Sequence, residues 1–377
     1  MNHLERFLNI MEYQPVDRAP NWEAGVWAQT RERWTQEGMD TGSESWDWFT
    51  GSLQFKTDPR EFIHLHSGMI PPFPVEVLEK TDRYEIIRNA KGIVTKALIE
   101  GSVGGARMCM DEYISFPVEC QADFDALKKR YIAQNPARYT PFWEIFRLPG
   151  WQNRSHPLIL GENCSTPGFY WMLREWMGTE GVSYAFYDEP ELVHDMCAFI
   201  ADYLIDLCAP ILEQVAPEYV CISEDLAMKS GPLLSPATYR EFIFPHMRRL
   251  VDFLKSKGVK YVAVDTDGNC EPIIPSFLEA GVDAIWPVER ASDGMDPLLL
   301  RQKYGHALRL WGAVDKRELA KDKQAIRDHL RSLIPLMEDG GFIPTVDHTV
   351  PPDVSLENFR YYMEKKEHLL RFEFDKI

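Results

Sequence analysis

From about residue 157 to the C-terminus, short apolar runs alternate with longer amphipathic segments, and this alternation narrows the fold more than any other feature of the chain. The runs are PLILGEN (157–163), YVCISED (219–225), YVAVDTD (261–267), AIWPVE (284–289), LRLWGAVD (308–315) and FIPTVDH (342–348). Each has the length and the β-branched or aromatic content of a buried strand. The segments between them carry helix-start signals: Asp188 before Glu-Pro, Ser235 before Pro236, and Ser355 opening SLENFRYYMEKKEHLL. Six strand–helix alternations in this length predict a (β/α)₈ TIM barrel, with earlier strands supplied by the N-terminal part. A doubly wound open sheet is the rival, but no glycine-rich phosphate turn follows any of the runs.

Every run ends in ionisable residues: Glu162, Glu224 with Asp225, Asp265 with Asp267, Glu289, Asp315, and Asp347 with His348. In a barrel the C-terminal ends of the strands converge on one mouth, where enzymes of this fold carry their chemistry. The pair in YVAVDTDGNC is the sharpest case. Residues i and i+2 of a strand share a face, so Asp265 and Asp267 bring two negative charges together. A metal, a cation, a shared proton or open water could offset the repulsion. Asp-Gly is also a common turn, so the pair has a purely structural reading as well.

The remaining candidates divide in the same way. Glu224 and Asp225 suit a general acid and its orienter, or helix caps. Asp315 before Lys-Arg suits an N-cap. His64 and His66 in FIHLHSG have ligand-like spacing but no companion nearby, and read as strand residues. Five of the eleven tryptophans fall early, as Trp22, Trp27, Trp34, Trp46 and Trp48, and predict either a helical layer packed on the barrel or an aromatic wall over its mouth. GSVGGARMCMDEY (101–113) reads as a glycine-rich hairpin or flap. We therefore expect one domain over 1–377, with 1–150 forming a helical and hairpin layer plus early strands, and 157–377 the clear barrel.

A net charge of -17 argues against polyanionic partners such as nucleic acid. No apolar run approaches a membrane span, and the charged start MNHLERFLNI lacks a signal-peptide core, so a cytoplasmic protein is expected. Seven cysteines without a CxxC motif do not form a disulfide framework, and most are expected to be reduced core residues.

The segments EDLAMKSGPLLSPATYREFIFP, VDTDGNCEPIIPSFLEAGVDAIWPVE, LRLWGAVDKRELA and GGFIPTVDHTVPPDVSLENF resemble the uroporphyrinogen decarboxylase superfamily, as does the opening ERFLNIMEYQPVDRAP. The resemblance implies a single (β/α)₈ barrel and one of two chemistries. Decarboxylases of the family carry an RQAGR stretch after the first strand; here the corresponding stretch is NWEAGVWAQTRER, without it. Corrinoid-dependent methyltransferases carry His-x-Cys after one strand, a carboxylate after the next and a cysteine near a Pro-Pro turn, usually holding zinc. On this chain those positions are Asp265 and Asp267, Glu289, and His348 in VDHTVPP, with no sulfur ligand kept. The resemblance thus implies an O-demethylase-type methyltransferase I that passes a methyl group to the cobalt of a corrinoid protein, and the early tryptophans point to a small aryl methyl ether as the donor. Zinc on Asp265, Asp267, Glu289 and His348 would polarise the ether oxygen, Glu224 would donate the proton, and Trp22 and Trp27 would line the substrate. Its partners would be a corrinoid protein and a small methyl donor, with a homodimer also compatible. A uroporphyrinogen decarboxylase-like enzyme and a non-catalytic corrinoid-binding protein are the alternatives.

Overall fold

The computed structural model describes residues 1–40, 48, 51, 52, 54–103, 106, 107, 111–161 and 165–377. Seven parallel strands form its central sheet in simple chain order: β1 (Glu61–Ile63), β2 (Leu158–Leu160), β3 (Tyr219–Ser223), β4 (Tyr261–Asp265), β5 (Ala284–Val288), β6 (Arg309–Val314) and β7 (Phe342–Val346). Six of them lie inside the six runs read from sequence. Neighbours in chain order become neighbours in the sheet because each crossover brings the chain back beside the strand it has just left. Residues 166–167 extend the β2 side by pairing with Ile222 and Ser223.

Between β7 and β1 the regular ladder is missing among the described residues. Residues 19–24 pass through this sector, where the Glu23 carboxylate accepts from the Val346 amide at 2.9 Å. Glu23 is fully engaged, also accepting from the Tyr362 hydroxyl and the Lys366 ammonium, each at 2.6 Å. Lys366 and Tyr362 belong to the C-terminal helix Leu356–Leu370, so a buried ion pair ties this segment to the last helix. Removing one partner of such a pair costs about 3–5 kcal/mol, because the other charge is left buried alone.

The N-terminal helix α1 (His3–Met11) packs Phe7 against Trp22, Tyr219, Tyr261 and Trp311. Tyr219 and Tyr261 are the first residues of β3 and β4, so this aromatic cluster fills the N-terminal end of the barrel. Between β1 and β2 the chain makes a long excursion that includes a four-stranded antiparallel sheet, Glu76–Lys80, Tyr84–Arg88, Val94–Leu98 and Glu112–Ser115. The glycine-rich stretch pairs Ser102–Val103 with Ala106–Arg107, while Gly104, Gly105 and Cys109 lie outside the described residues.

Helix α2 (Phe169–Asp188) bends at Gly178, whose φ of +73° is left-handed and where a Cβ would strike the Phe116 ring. The bend seats the end of the antiparallel sheet against the barrel, with Val118 N donating to the Trp176 carbonyl at 3.0 Å. Ser235, Ser355 and Asp315 cap helices as read. Asp188 does not: it is the last residue of α2, and Glu189 holds the N-cap position of the next helix. Cys197, Cys208, Cys221 and Cys270 are buried thiols, and Cys120 is exposed. No helix among the described residues is long and apolar enough to cross a membrane.

Candidate active site at the barrel mouth

Strand β4 runs apolar from Tyr261 to Val264 and then releases Asp265 at its end, where the backbone turns. Gly268 makes the turn possible: its φ is +79°, and a Cβ there would lie 2.7 Å from the Met228 carbonyl. The Asp-Gly turn and the carboxylate pair are therefore both present. Asp265 and Asp267 line a cavity of about 450 Å³ together with Ser223, Asp225, His348, Trp171 and Trp286.

Asp267 and His348, 81 residues apart in sequence, meet at 3.4 Å between Oδ2 and Nε2. This contact raises the His348 imidazole above its usual range, against the opposing effect of burial. Asp265 accepts from the Ser223 hydroxyl at 3.1 Å. Burial, and next the negative charge of Asp267, push the Asp265 carboxyl up to about 7. Asp225 sits at the edge with a positive φ of 42° and is held by Arg174, which bonds both its side chain and, at 3.2 Å, its carbonyl. Arg174 in turn lies over the Trp171 ring at 5.3 Å.

Glu289 is turned to other work. Its carboxylate pairs with Lys316 at 2.7 Å and accepts from the Gly268 amide at 3.1 Å and the Ser292 hydroxyl at 3.2 Å, so it braces the turn that presents Asp267. Asp347 is buried beneath, accepting from the Arg290 and Lys316 amides, and burial pushes it up to about 6. Among the described residues no group of three or more His, Cys, Asp or Glu side chains is placed to hold a metal ion. Of the four residues expected to hold zinc, Asp265, Asp267 and His348 line one cavity, while Glu289 is paired with Lys316.

Glu224 does not face the cavity. It is fully buried and accepts from the Phe169 and Tyr170 amides at 3.1 and 2.7 Å, capping α2 from another part of the chain. Its carboxyl is pushed up to about 7, but by burial rather than by an acidic mouth. The helix it caps precedes it in sequence, and local cap rules cannot see such a partner.

The two tryptophans expected at the substrate separate. Trp27, 45% exposed, stands at the rim with its ring 6.3 Å from that of His348. Trp22 is buried below, in a smaller inner cavity. Trp34 and Trp48 are core residues packed with Phe55 and Phe359. Trp46 and Glu162 lie outside the described residues. His64 and His66 are exposed residues past the end of β1. Sequence reasoning missed Trp171, Ser223, Trp286 and Arg174. Ser223 and Trp286 fall within recognised strand runs and could have been found by asking which side chains share the inward face with Asp265.

A family model described as uroporphyrinogen decarboxylase (URO-D) matches residues 172–368, just over half of the chain. A uroporphyrinogen decarboxylase from Thermus thermophilus is 32% identical over 136 residues, a match that spans 35% of this chain and only 37% of that protein's length. One from Picosynechococcus sp. is 23% identical over 273 residues, 69% of this chain and 71% of that protein. Among solved structures, a methyltransferase from Methanosarcina mazei superposes with a TM-score of 0.58 over 99% of both chains at 12% identity, a likeness of fold.

Proposed function

Given that the chain belongs to the uroporphyrinogen decarboxylase family, we propose that it is a methyltransferase that moves a methyl group from a small aryl methyl ether to the cobalt of a corrinoid protein. The observation that carries this reading is the mouth cavity, where Asp225, Asp265, Asp267 and His348 stand among the rings of Trp171 and Trp286. Aromatic walls suit a flat ring, and a carboxyl that keeps its proton near neutrality suits an ether oxygen that must leave as a phenol. A tetrapyrrole polycarboxylate finds the opposite: acidic groups, with the nearby Arg174 already tied to Asp225. In the stretch that corresponds to RQAGR, aligned on its shared Ala-Gly, Trp22 and Val26 stand in place of the arginines.

The chain's own residues have these roles. Trp171 and Trp286 hold the aryl ring, and Trp27 covers it from the rim. Asp265 takes over the proton-donor role first given to Glu224. The reduced cobalt of the partner's corrinoid supplies the electron pair that receives the methyl group. As the methyl–oxygen bond breaks, the oxygen keeps the bonding electrons and takes the Asp265 proton, leaving a phenol and a carboxylate. The Asp267–His348 pair beside it then relays a proton from solvent back to Asp265. No step is assigned to a metal.

The names of the curated relatives favour a second reading, decarboxylation of a tetrapyrrole. One assay separates the two. The protein is incubated with cob(I)alamin and a panel of aryl methyl ethers while methylcobalamin is followed by absorbance, and in parallel with uroporphyrinogen. The methyl-transfer reading expects methylcobalamin, formed roughly 100-fold or more slowly by Asp265→Asn, the range of a lost general acid. Coproporphyrinogen formed with turnover, and no methylcobalamin from any ether, would reverse it.

A further inference from the structure

Below the mouth lies a second, inner cavity with about 20 Å³ of free space, room for one oxygen-sized group. Ala24 and Trp286 line both cavities and so mark where they meet. The inner walls are largely aromatic, formed by Trp22, Tyr219, Trp286 and Trp311, together with Thr345 and the buried Arg60, whose guanidinium lies 4.3 Å from the centre of the Trp22 ring and donates to the Tyr219 hydroxyl at 3.3 Å. Two of these rings bring an uncommon feature. The indole N–H groups of Trp22 and Trp311 are buried without a hydrogen-bond acceptor among the described residues, although the side chains are only 2% and 3% exposed. A buried donor left unpaired costs about 1–3 kcal/mol, so two beside one cavity are a standing demand for an acceptor. The protein does not meet it from its own carboxylates: Glu23, which also lines the space, is occupied by Val346, Tyr362 and Lys366.

We propose that the inner cavity is a specificity subsite for a hydrogen-bond acceptor oxygen on the aromatic ligand, on the side of the ring remote from the methyl ether. The inference rests on the methyl-ether reading for the ligand's other end. The oxygen, of a carboxylate or a carbonyl, sits between the indoles of Trp22 and Trp311 while the ring lies against Trp286 and the ether reaches Asp265. The site therefore selects aryl ethers that bear such a group over ethers that lack it.

The probes are 4-methoxybenzoate and anisole, which share the ether and differ in the carboxylate. Binding is read on the intact protein without corrinoid or turnover, from the side-chain N–H signals of ¹⁵N-tryptophan-labelled protein and by calorimetry. Trp22→Phe and Trp311→Phe assign the two signals. Both should move on saturation with 4-methoxybenzoate, and that ligand should bind at least tenfold more tightly than anisole, the scale of hydrogen bonds to a charged acceptor. The affinity ratio needs only the wild-type chain, so it stands even if a variant fails to fold. A resident water would serve the indoles equally in both complexes and leave the affinities alike. An affinity ratio short of tenfold, an assigned indole signal unmoved by 4-methoxybenzoate, or failure of 4-methoxybenzoate to bind overturns the inference. Intact selectivity without methyl transfer in the separate assay would instead refute the proposed reaction.

Discussion

Replacing Asp265 by Asn tests the proton-donor assignment through stability before any activity is measured. The carboxyl titrates at about 7 in the folded chain against 3.8 as the ordinary value, because burial and the Asp267 charge disfavour its ionised form. The folded state thus binds more protons than the unfolded state between these values, and stability falls as pH rises through the window. At 1.36 kcal/mol per pH unit, the full penalty at alkaline pH is roughly 4 kcal/mol, of which about 2.5 develops between pH 5 and pH 8.5. Asp265 retains partial contact with solvent, which brings the expected effect to about 1–2 kcal/mol. Asn cannot ionise, yet its amide oxygen can still accept from Ser223. Equilibrium urea denaturation of both proteins should show Asp265→Asn gaining about 1–2 kcal/mol on the wild type as pH rises from 5 to 8.5. Glu224 and Asp347 add the same pH trend to both proteins, so the difference isolates Asp265. A stability difference that is the same at both pH values would refute the reasoning.

Three further outcomes are expected. Asp267→Asn removes the contact that raises His348 and leaves burial in control, so the His348 titration followed by NMR should move below its wild-type midpoint; an unchanged midpoint contradicts the pairing. Glu224→Ala leaves the buried Phe169 and Tyr170 amides unpaired and should destabilise the protein by about 2–4 kcal/mol in denaturation, without moving the pH profile of methyl transfer; a shifted profile would return Glu224 to the chemistry. Uroporphyrinogen should be returned unchanged by the wild type, and coproporphyrinogen in a chromatographic assay would count against the acidic-mouth argument.

The barrel was legible because its strands are buried on both faces and therefore read as continuous apolar runs, with Ser235, Ser355 and Asp315 marking helix starts through bonds to amides two or three residues on. The sector between β7 and β1 was not legible: its closure depends on Glu23 reaching Val346, a contact across 323 residues that leaves no periodic trace. The same limit divides the site. Asp265, Asp267 and His348 were found because strand ends converge, and the fold does bring them to one cavity. Glu289 and Glu224 end strands just as visibly, but side-chain direction decided their use: one is drawn to Lys316 and the other into the end of α2. Spacing shows which strand end a residue occupies, and the partner waiting there decides whether its charge stays available.

The central claim is that this mouth transfers an intact methyl group from an aryl ether oxygen to cobalt. The most direct measurement supplies 4-methoxybenzoate carrying a CD₃ ether group together with cob(I)alamin, and reads both products by mass spectrometry. The account predicts methylcobalamin heavier by three deuterium masses, with an equal amount of 4-hydroxybenzoate, both dependent on the protein. Unlabelled cobalamin beside unchanged ether, under conditions where the folded protein binds the ligand, would contradict it.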